Sequence, residues 1–149
     1  MPGAFVIVNP VAAAGAARRR WAALARALER ALPGFEAAFT EGPGHALGLA
    51  RRAQAAGHEL VVAVGGDGTL GETASGLLED GRLSAARSAL GLVPLGTGCD
   101  FARTLGLRSA DEAVERLGRG VTRRIDAGRA SLQGRDGGVF ERVFVNAVA

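Results

Sequence analysis

The chain has 149 residues, of which 48% are hydrophobic and 22% are charged, the balance of one globular domain rather than a disordered segment. Its single cysteine, Cys99, excludes an internal disulfide framework, and its apolar stretches fall far short of the ~20 residues of a membrane-spanning helix. Residues 1–8 lack the basic flank and long apolar stretch of a secretion signal, which predicts a cytoplasmic protein.

All 18 basic residues are arginine, and with 15 acidic residues they leave a net charge of only +3. Without lysine, the chain cannot contain the Gly-Lys-Ser/Thr element of a P-loop. Nucleic-acid binding calls for a concentrated basic face with stacking aromatic residues, whereas aromatic residues make up only 5% of this chain. We therefore expect no nucleic-acid partner. The mild positive charge is compatible with an anionic membrane surface.

Apolar runs and amphipathic segments alternate along residues 1–120, with glycine and proline between them. Short apolar runs predict four strands: Phe5–Val8, Phe35–Thr40, Leu60–Val64 and Leu90–Pro94. Helical spacing of apolar residues predicts four helices: Ala16–Leu32, His45–Ala56, one around Leu70–Leu78 and one from Ser109 to about Leu117. Ser109 and Glu112 have capping-box spacing, so each is expected to bind the other's backbone amide. The alternation indicates an α/β fold in three layers, with a mostly parallel sheet between helices.

The pattern changes after Gly120. Val121–Leu132 and Val139–Ala149 are predicted strands, and the Asp136-Gly137 pair between them is typical of a hairpin turn. We therefore predict one domain at residues 1–120 and a C-terminal β-hairpin at residues 121–149 that leads into a second domain absent from this sequence. An apolar terminal strand without a partner also favours pairing between two copies of the chain as a homodimer.

Three glycine-rich or polar turns follow predicted strands, at Asn9–Gly15, Gly65–Glu72 and Gly96–Asp100. Ligands of open parallel sheets bind beyond the carboxyl ends of the strands. Glycine lets backbone amides approach an anion closely, and the second and third turns lead into helices whose N-termini carry positive partial charge. Together the three turns predict a phosphate-binding site.

The segment Gly66–Gly71 matches the GxGxxG fingerprint of dinucleotide-binding proteins. That fingerprint opens the first βαβ unit and has an acidic residue about twenty positions further on, whereas this segment follows the third predicted strand and has no such acid. The carboxylate of Asp67 would also repel a pyrophosphate unless a cation or a hydroxyl lay between them. This position favours phosphoryl transfer, in which an acid holds magnesium or orients the acceptor hydroxyl.

Two long motifs carry a resemblance to a known family. They are Gly65-Gly66-Asp67-Gly68-Thr69 with Glu72, and Pro94-Leu-Gly96-Thr97-Gly98-Cys-Asp100-Phe-Ala-Arg103, preceded by Asn9-Pro10 and followed by Arg124-Ile-Asp126-Ala-Gly128 and Phe144-Val-Asn146. This pattern resembles the catalytic domain of diacylglycerol kinases, which is shared by sphingosine and ceramide kinases and bacterial lipid kinases and more distantly by NAD kinases. The resemblance covers essentially the whole chain and implies a Rossmann-like fold of the NAD kinase and diacylglycerol kinase type.

The resemblance implies an enzyme that transfers the γ-phosphoryl group of ATP, with Mg²⁺, to a lipid hydroxyl such as that of diacylglycerol at the inner membrane surface. Residues 1–120 would bind ATP, and the lipid pocket and the catalytic base would lie in the absent β domain, so this chain alone is expected to be inactive. Asp67 is the implied catalytic residue, and Asp100 and Asp126 resemble acids that reach magnesium through water. The implied nucleotide-binding residues are Asn9, Pro10, Gly15, Thr40, Gly65, Gly66, Asp67, Gly68, Thr69, Glu72, Gly96, Thr97 and Gly98.

Two positions depart from the family pattern, because Gly71 and Cys99 each stand where the family has asparagine. The lost amide groups leave open a non-catalytic nucleotide-binding regulatory module. A further alternative to the lipid kinase is an NAD kinase-like phosphotransferase, in which the aspartate of the Gly-Gly-Asp-Gly motif acts on a ribose hydroxyl. At a helix N-terminus beside arginine, Cys99 is either an acidic, reactive thiol or a plain small residue.

Overall fold

The computed structural model describes residues 3–78, 88–96 and 98–145. Its strands are β1 (Ala4–Val8), β2 (Glu36–Phe39), β3 (Leu60–Gly65), β4 (Ala89–Pro94), β5 (Gly128–Gln133) and β6 (Val139–Phe144). Its helices are α1 (Ala12–Ala31), α2 (His45–Ala55), α3 (Asp67–Leu77), α4 (Asp100–Thr104) and α5 (Ala110–Gly118).

The first four strands form one parallel sheet in the order β2-β1-β3-β4. The chain moves outward from β1 to β2 and then returns to the other side of β1 to form β3. The strand order therefore reverses between β1 and β3, which is the topological switch point where open α/β sheets bind ligands. The predicted parallel α/β sheet is confirmed.

Helices cover both faces of this sheet. Val6 and Val62 point to one face and pack in a core with Leu28 of α1 and Val114 of α5. On the other face, a second core contains Ile7 and Val61 together with residues of α2 and α3: Ala46, Leu49, Ala50, Ala53 and Leu77. Burying both faces explains why β1 and β3 are continuous apolar runs. The predicted three-layer arrangement is confirmed.

The start of α1 differs from a regular helix. Ala13, Ala14 and Gly15 have φ angles of +53°, +54° and +85°, so the regular part of the helix begins at Ala16, where the sequence places it. This left-handed stretch lies directly beyond the carboxyl end of β1.

The C-terminal segment forms the predicted antiparallel hairpin, with Gly128 opposite Phe144. Gly137 has a φ of +83°, and the Gly138 amide donates to Oδ1 of Asp136 at 3.0 Å, as the Asp-Gly signal predicts. The predicted start of this strand at Val121 is wrong, because residues 121–127 precede β5 without regular structure. Residues 146–149, including Asn146, lie outside the described residues.

The hairpin contacts the main domain at α3. The Ser75 hydroxyl donates to the Val143 carbonyl at 3.3 Å and accepts from the Val143 amide at 3.2 Å. The division of the chain at residue 120 stays a prediction. Among the described residues, no helix has the length and apolar character needed to cross a bilayer.

Candidate functional site

The loops that follow the four parallel strands leave the same edge of the sheet. The Asn9 amide donates to the Val64 carbonyl at 3.0 Å, and the Leu95 amide donates to the Gly65 carbonyl at 3.1 Å. The Thr40 amide donates to Val8 at 2.8 Å. We name the segments beyond these strands the first loop (residues 9–15), the second loop (40–44) and the fourth loop (95–99). The third strand passes into α3 through Gly66 alone.

The N-terminus of α3 is open to an approaching anion. Its N-cap, Gly66, has no side chain and therefore makes no capping hydrogen bond. A Cβ atom built on Gly66 or Gly68 would meet no heavy atom within 4 Å. Free first-turn amides and the positive end of the helix dipole are the features that bind phosphate groups in proteins. The predicted phosphate-binding turn therefore has the geometry that such a site requires.

Thr69 joins the first turn of α3 to the first loop. The Nδ2 amide of Asn9 donates to the Thr69 hydroxyl at 3.2 Å, and the Thr73 hydroxyl donates to the Thr69 carbonyl at 2.8 Å. A Cβ atom on Gly65 would lie 2.7 Å from the Thr69 hydroxyl. Only glycine at position 65 therefore lets Thr69 lie this close to the strand end.

The carboxylate of Asp67 lies across the N-terminus of α4. Its Oδ2 atom accepts a hydrogen bond from the Asp100 amide at 2.8 Å, and its Oδ1 atom accepts one from the Phe101 amide at 3.2 Å. The residue at the N-cap of α4, Cys99, makes no capping hydrogen bond. Asp67 therefore caps α4 from a different helix, which joins the second and third predicted turns.

Cys99 is buried, with 5% of its surface exposed, and its thiol lies 3.5 Å from Oδ1 of Asp67. Burial raises the pKa of the thiol, and the nearby Asp67 carboxylate raises it further, while the Ala102 amide and the Arg103 guanidinium act in the opposite direction. An acidic, reactive thiol is therefore wrong for this residue. Cys99 packs as a small apolar side chain against Phe101 and Leu70.

The first and fourth loops touch each other. Ala13, which has a left-handed backbone, lies so near Gly96 that a Cβ atom on Gly96 would be 3.4 Å from the Ala13 methyl. Gly96 itself has a φ of +97°, which glycine adopts without strain. Ala14 also has a left-handed backbone, and its carbonyl accepts a hydrogen bond from Nη1 of Arg19 at 3.2 Å. Gly15 ends this left-handed stretch of the first loop. The first loop, which contains the predicted residue Gly15, therefore contacts the fourth loop, which contains Gly96.

The second loop is tied to α3 by Glu72. Its Oε1 atom accepts from the Gly44 amide at 2.9 Å, and Nδ1 of His45 accepts from the Glu41 amide at 3.0 Å. Thr40, at the start of this loop, lies beside the end of β1, where its amide donates to the Val8 carbonyl. The sequence did not single out Gly44. The only local signal is its place in Gly42-Pro-Gly44 before a helix.

The described residues provide no preformed metal centre, since none of them form a cluster of three or more His, Cys, Asp or Glu side chains able to hold an ion. Asp100 forms an ion pair with Arg103, and Asp126 is exposed in the segment that precedes β5. Mg²⁺ commonly binds through one or two carboxylates, waters and substrate phosphates.

Three predicted site residues remain: Pro10, Thr97 and Gly98. Pro10 is buried next to Asn9, and Gly98 is exposed in the fourth loop, where a Cβ atom would meet no heavy atom within 4 Å. Thr97 lies outside the described residues. The structure thus brings the three predicted turns and Thr40 to one edge of the sheet, centred on the start of α3.

The fold and these loops define an open α/β domain whose strand-end loops meet the start of α3 at the carboxyl edge of the sheet. Residues 3–130 match the model of the diacylglycerol kinase catalytic domain, and the chain belongs to this family.

Individual relatives agree with this assignment. The chain is 34% identical over 137 residues to a diacylglycerol kinase of Bacillus subtilis, covering 89% of this chain and 43% of that protein. It is 33% identical over 147 residues to a diacylglycerol kinase of Staphylococcus haemolyticus, covering 98% and 41%. The crystal structure of a diacylglycerol kinase from Bacillus anthracis superposes with a TM-score of 0.74 at 28% identity, covering 86% of this chain and 44% of that one. The chain therefore spans less than half the length of each of these relatives.

Proposed function

We propose that the chain is the ATP-binding half of a lipid kinase that transfers the γ-phosphoryl group of ATP to a lipid hydroxyl, such as that of diacylglycerol. The observation that carries this proposal is the open N-terminus of α3 at the switch point, where a Cβ atom built on Gly66 or Gly68 would meet no heavy atom within 4 Å. Membership of the diacylglycerol kinase catalytic domain family supports the acceptor class.

In this proposal the first-turn amides of α3 bind the ATP phosphates, and glycine at positions 66 and 68 allows close approach. Bound Mg²⁺ would neutralise charge on the phosphates. Asp100 and Asp126 would hold the ion through water, and Asp67, beside the cradle, is the catalytic candidate. The other nucleotide-binding residues of the proposal are Asn9, Pro10, Gly15, Thr40, Gly65, Thr69, Glu72, Gly96, Thr97 and Gly98.

We place the lipid pocket and the catalytic base outside residues 1–149. The relatives named above are more than twice as long as the part that this chain matches, which leaves room for a lipid-binding domain after the hairpin. The chain alone then binds Mg-ATP without phosphorylating a lipid. The complete enzyme would act as a peripheral protein at the inner membrane surface.

A chimera tests the proposal. Residues 1–149 would replace the matching part of the Bacillus subtilis diacylglycerol kinase, and transfer from γ-labelled ATP would be measured with diacylglycerol in mixed micelles or with NAD as acceptor. We expect labelled lipid from the chimera, no labelled NAD, and no product from the 149-residue chain. Labelled NAD would instead support an NAD kinase-like activity. A folded chimera that binds ATP without transferring phosphate would support a regulatory module, and labelled lipid from the chain alone would place the lipid site within residues 1–149.

A further inference from the structure

Three polar side chains in the first two turns of α3 each bind a different neighbouring segment, namely the start of α4 directly after the fourth loop, the first loop and the second loop. Asp67 accepts from the amides of Asp100 and Phe101 at 2.8 and 3.2 Å. Thr69 accepts from the Asn9 side chain at 3.2 Å. Glu72 accepts from the Gly44 amide at 2.9 Å across 28 residues of sequence. The start of α3 is therefore where the first, second and fourth loops are all held.

Helical geometry matches this division of contacts. An α-helix has about 3.6 residues per turn, so each successive side chain is rotated by about 100° around the helix axis. The side chain of Asp67 therefore lies about 140–160° around the axis from those of Thr69 and Glu72. In the sheet order β2-β1-β3-β4, the first two loops lie on one side of β3 and the fourth lies on the other. Asp67 reaches the fourth-loop side, while Thr69 and Glu72 reach the opposite side.

The contact made by Asp67 supplies something that α4 lacks. The first amides of a helix have no partner within it and are normally satisfied by an N-cap side chain. A buried thiol is a weak acceptor, and Cys99 makes no capping bond here. Both oxygens of the Asp67 carboxylate take over that task. Their negative charge also complements the helix dipole.

We infer that Asp67 and Glu72 are positioning residues of this site, Asp67 holding the fourth loop and Glu72 holding the second loop against α3. What the positioned loops bind rests on the proposed function, whereas the hydrogen bonds themselves can be tested without a nucleotide. For Glu72 the required property is an acceptor oxygen rather than a charge. For Asp67 the required property is two acceptor oxygens on one side chain.

Hydrogen exchange of individual backbone amides, measured by NMR, tests the inference directly. In Asp67→Ala we expect exchange at Asp100 and Phe101 to accelerate by about tenfold or more, because these amides lose a charged acceptor, while Gly44 keeps its rate. In Glu72→Ala we expect the reverse pattern. Glu72→Gln retains an acceptor oxygen and should keep Gly44 protected. Asp111→Ala, a first-turn acid of α5, is the matched control and should change none of these rates.

Unchanged exchange at Asp100 and Phe101 in Asp67→Ala, or at Gly44 in Glu72→Ala, would overturn the inference. ATP affinity supplies a second readout, measured with Mg²⁺ and again in EDTA. A positioning role predicts that Asp67→Ala weakens binding by a similar factor in both conditions. A loss confined to the Mg²⁺ condition would make Asp67 a metal ligand instead. If the wild type binds no ATP, the proposed function fails while the exchange rates still decide the inference.

Discussion

The thiol of Cys99 shows how one residue changes the chemistry of its neighbours. An asparagine there would cap α4 with its own side chain. With cysteine in that place, the cap comes from Asp67, and the thiol becomes part of the core beside Leu70 and Phe101. The N-cap position of α4 is thus filled by a residue that packs, and the capping acceptor is Asp67 of the preceding motif.

The raised pKa of Cys99 predicts a thiol that reacts slowly with alkylating reagents. Only the thiolate is nucleophilic, so we expect iodoacetamide to alkylate the native chain at pH 8 at least about tenfold more slowly than the chain unfolded in urea. Because the folded-state pKa lies above the ordinary value of 9.0, the associated stability is fully present below pH 9 and is lost as the pH rises through the folded-state pKa. Denaturant titrations of wild type and Cys99→Ala should therefore diverge above pH 9. Equal alkylation rates in the folded and unfolded chains would contradict this account.

Intrinsic helix propensity does not explain the backbone conformation of every residue in the site. Alanine has the highest helix propensity, yet Ala13 and Ala14 are left-handed, a conformation that costs a non-glycine residue about 1–2 kcal/mol. The surrounding contacts, such as the Arg19 side chain on the Ala14 carbonyl, offset that cost. Strained backbone of this kind is commonly found at ligand-binding sites.

At the scale of elements, the site depends on how closely α2 and α3 pack. A Cβ atom on Gly76 would lie 2.3 Å from the Leu47 carbonyl oxygen and 2.7 Å from the Ala50 methyl. Glycine at position 76 therefore lets the two helices approach, and this approach places Glu72 within reach of Gly44.

Two glycine substitutions in α3 should have opposite effects on stability. Gly76→Ala must push α2 away from α3, and we expect a loss of about 1–3 kcal/mol in the free energy of unfolding. Gly71→Ala adds a methyl where no heavy atom lies within 4 Å, so it should gain about 0.5–1 kcal/mol through helix propensity. Urea denaturation measures both. A Gly76→Ala chain as stable as the wild type would show that this close contact is not required.

The N-terminus of α5 provides a second test at this scale. Ser109 accepts from the Glu112 amide at 3.1 Å, as predicted, whereas the Glu112 carboxylate binds the Arg108 amide at 3.0 Å instead of the Ser109 amide. Ser109→Ala should therefore lower the free energy of unfolding by about 1 kcal/mol. A change below a few tenths of a kcal/mol in urea titrations would show that the cap contributes little.

Strands β1, β3 and β4 could be predicted because each is an apolar run that ends at glycine, proline or a polar residue. The hairpin could be predicted from Asp136-Gly137 for a similar local reason. The contacts of Asp67 and Glu72 could not, since they join residues 33 and 28 positions apart and depend on the order of the strands. Residues 121–127 were predicted as strand from composition alone, whereas they precede β5 without regular structure.

For the whole molecule, the order β2-β1-β3-β4 brings the first, second and fourth loops to one edge and leaves the N-terminus of α3 open between them. Membership of the diacylglycerol kinase catalytic domain family gives this edge its proposed ligand, Mg-ATP. The central claim of the account is that the 149-residue chain binds this nucleotide at the start of α3.

Calorimetric titration of the chain with Mg-ATP tests this claim most directly, with two matched glycine variants. Gly68→Ala and Gly48→Ala each add a methyl to a helix where no heavy atom lies within 4 Å, but only Gly68 lies in the proposed phosphate cradle. The account predicts a dissociation constant between micromolar and low millimolar for the wild type and Gly48→Ala, and binding weakened at least about tenfold, or 1.4 kcal/mol, in Gly68→Ala. A folded wild type that releases no binding heat, or a Gly68→Ala chain that binds as tightly as the wild type, would contradict it.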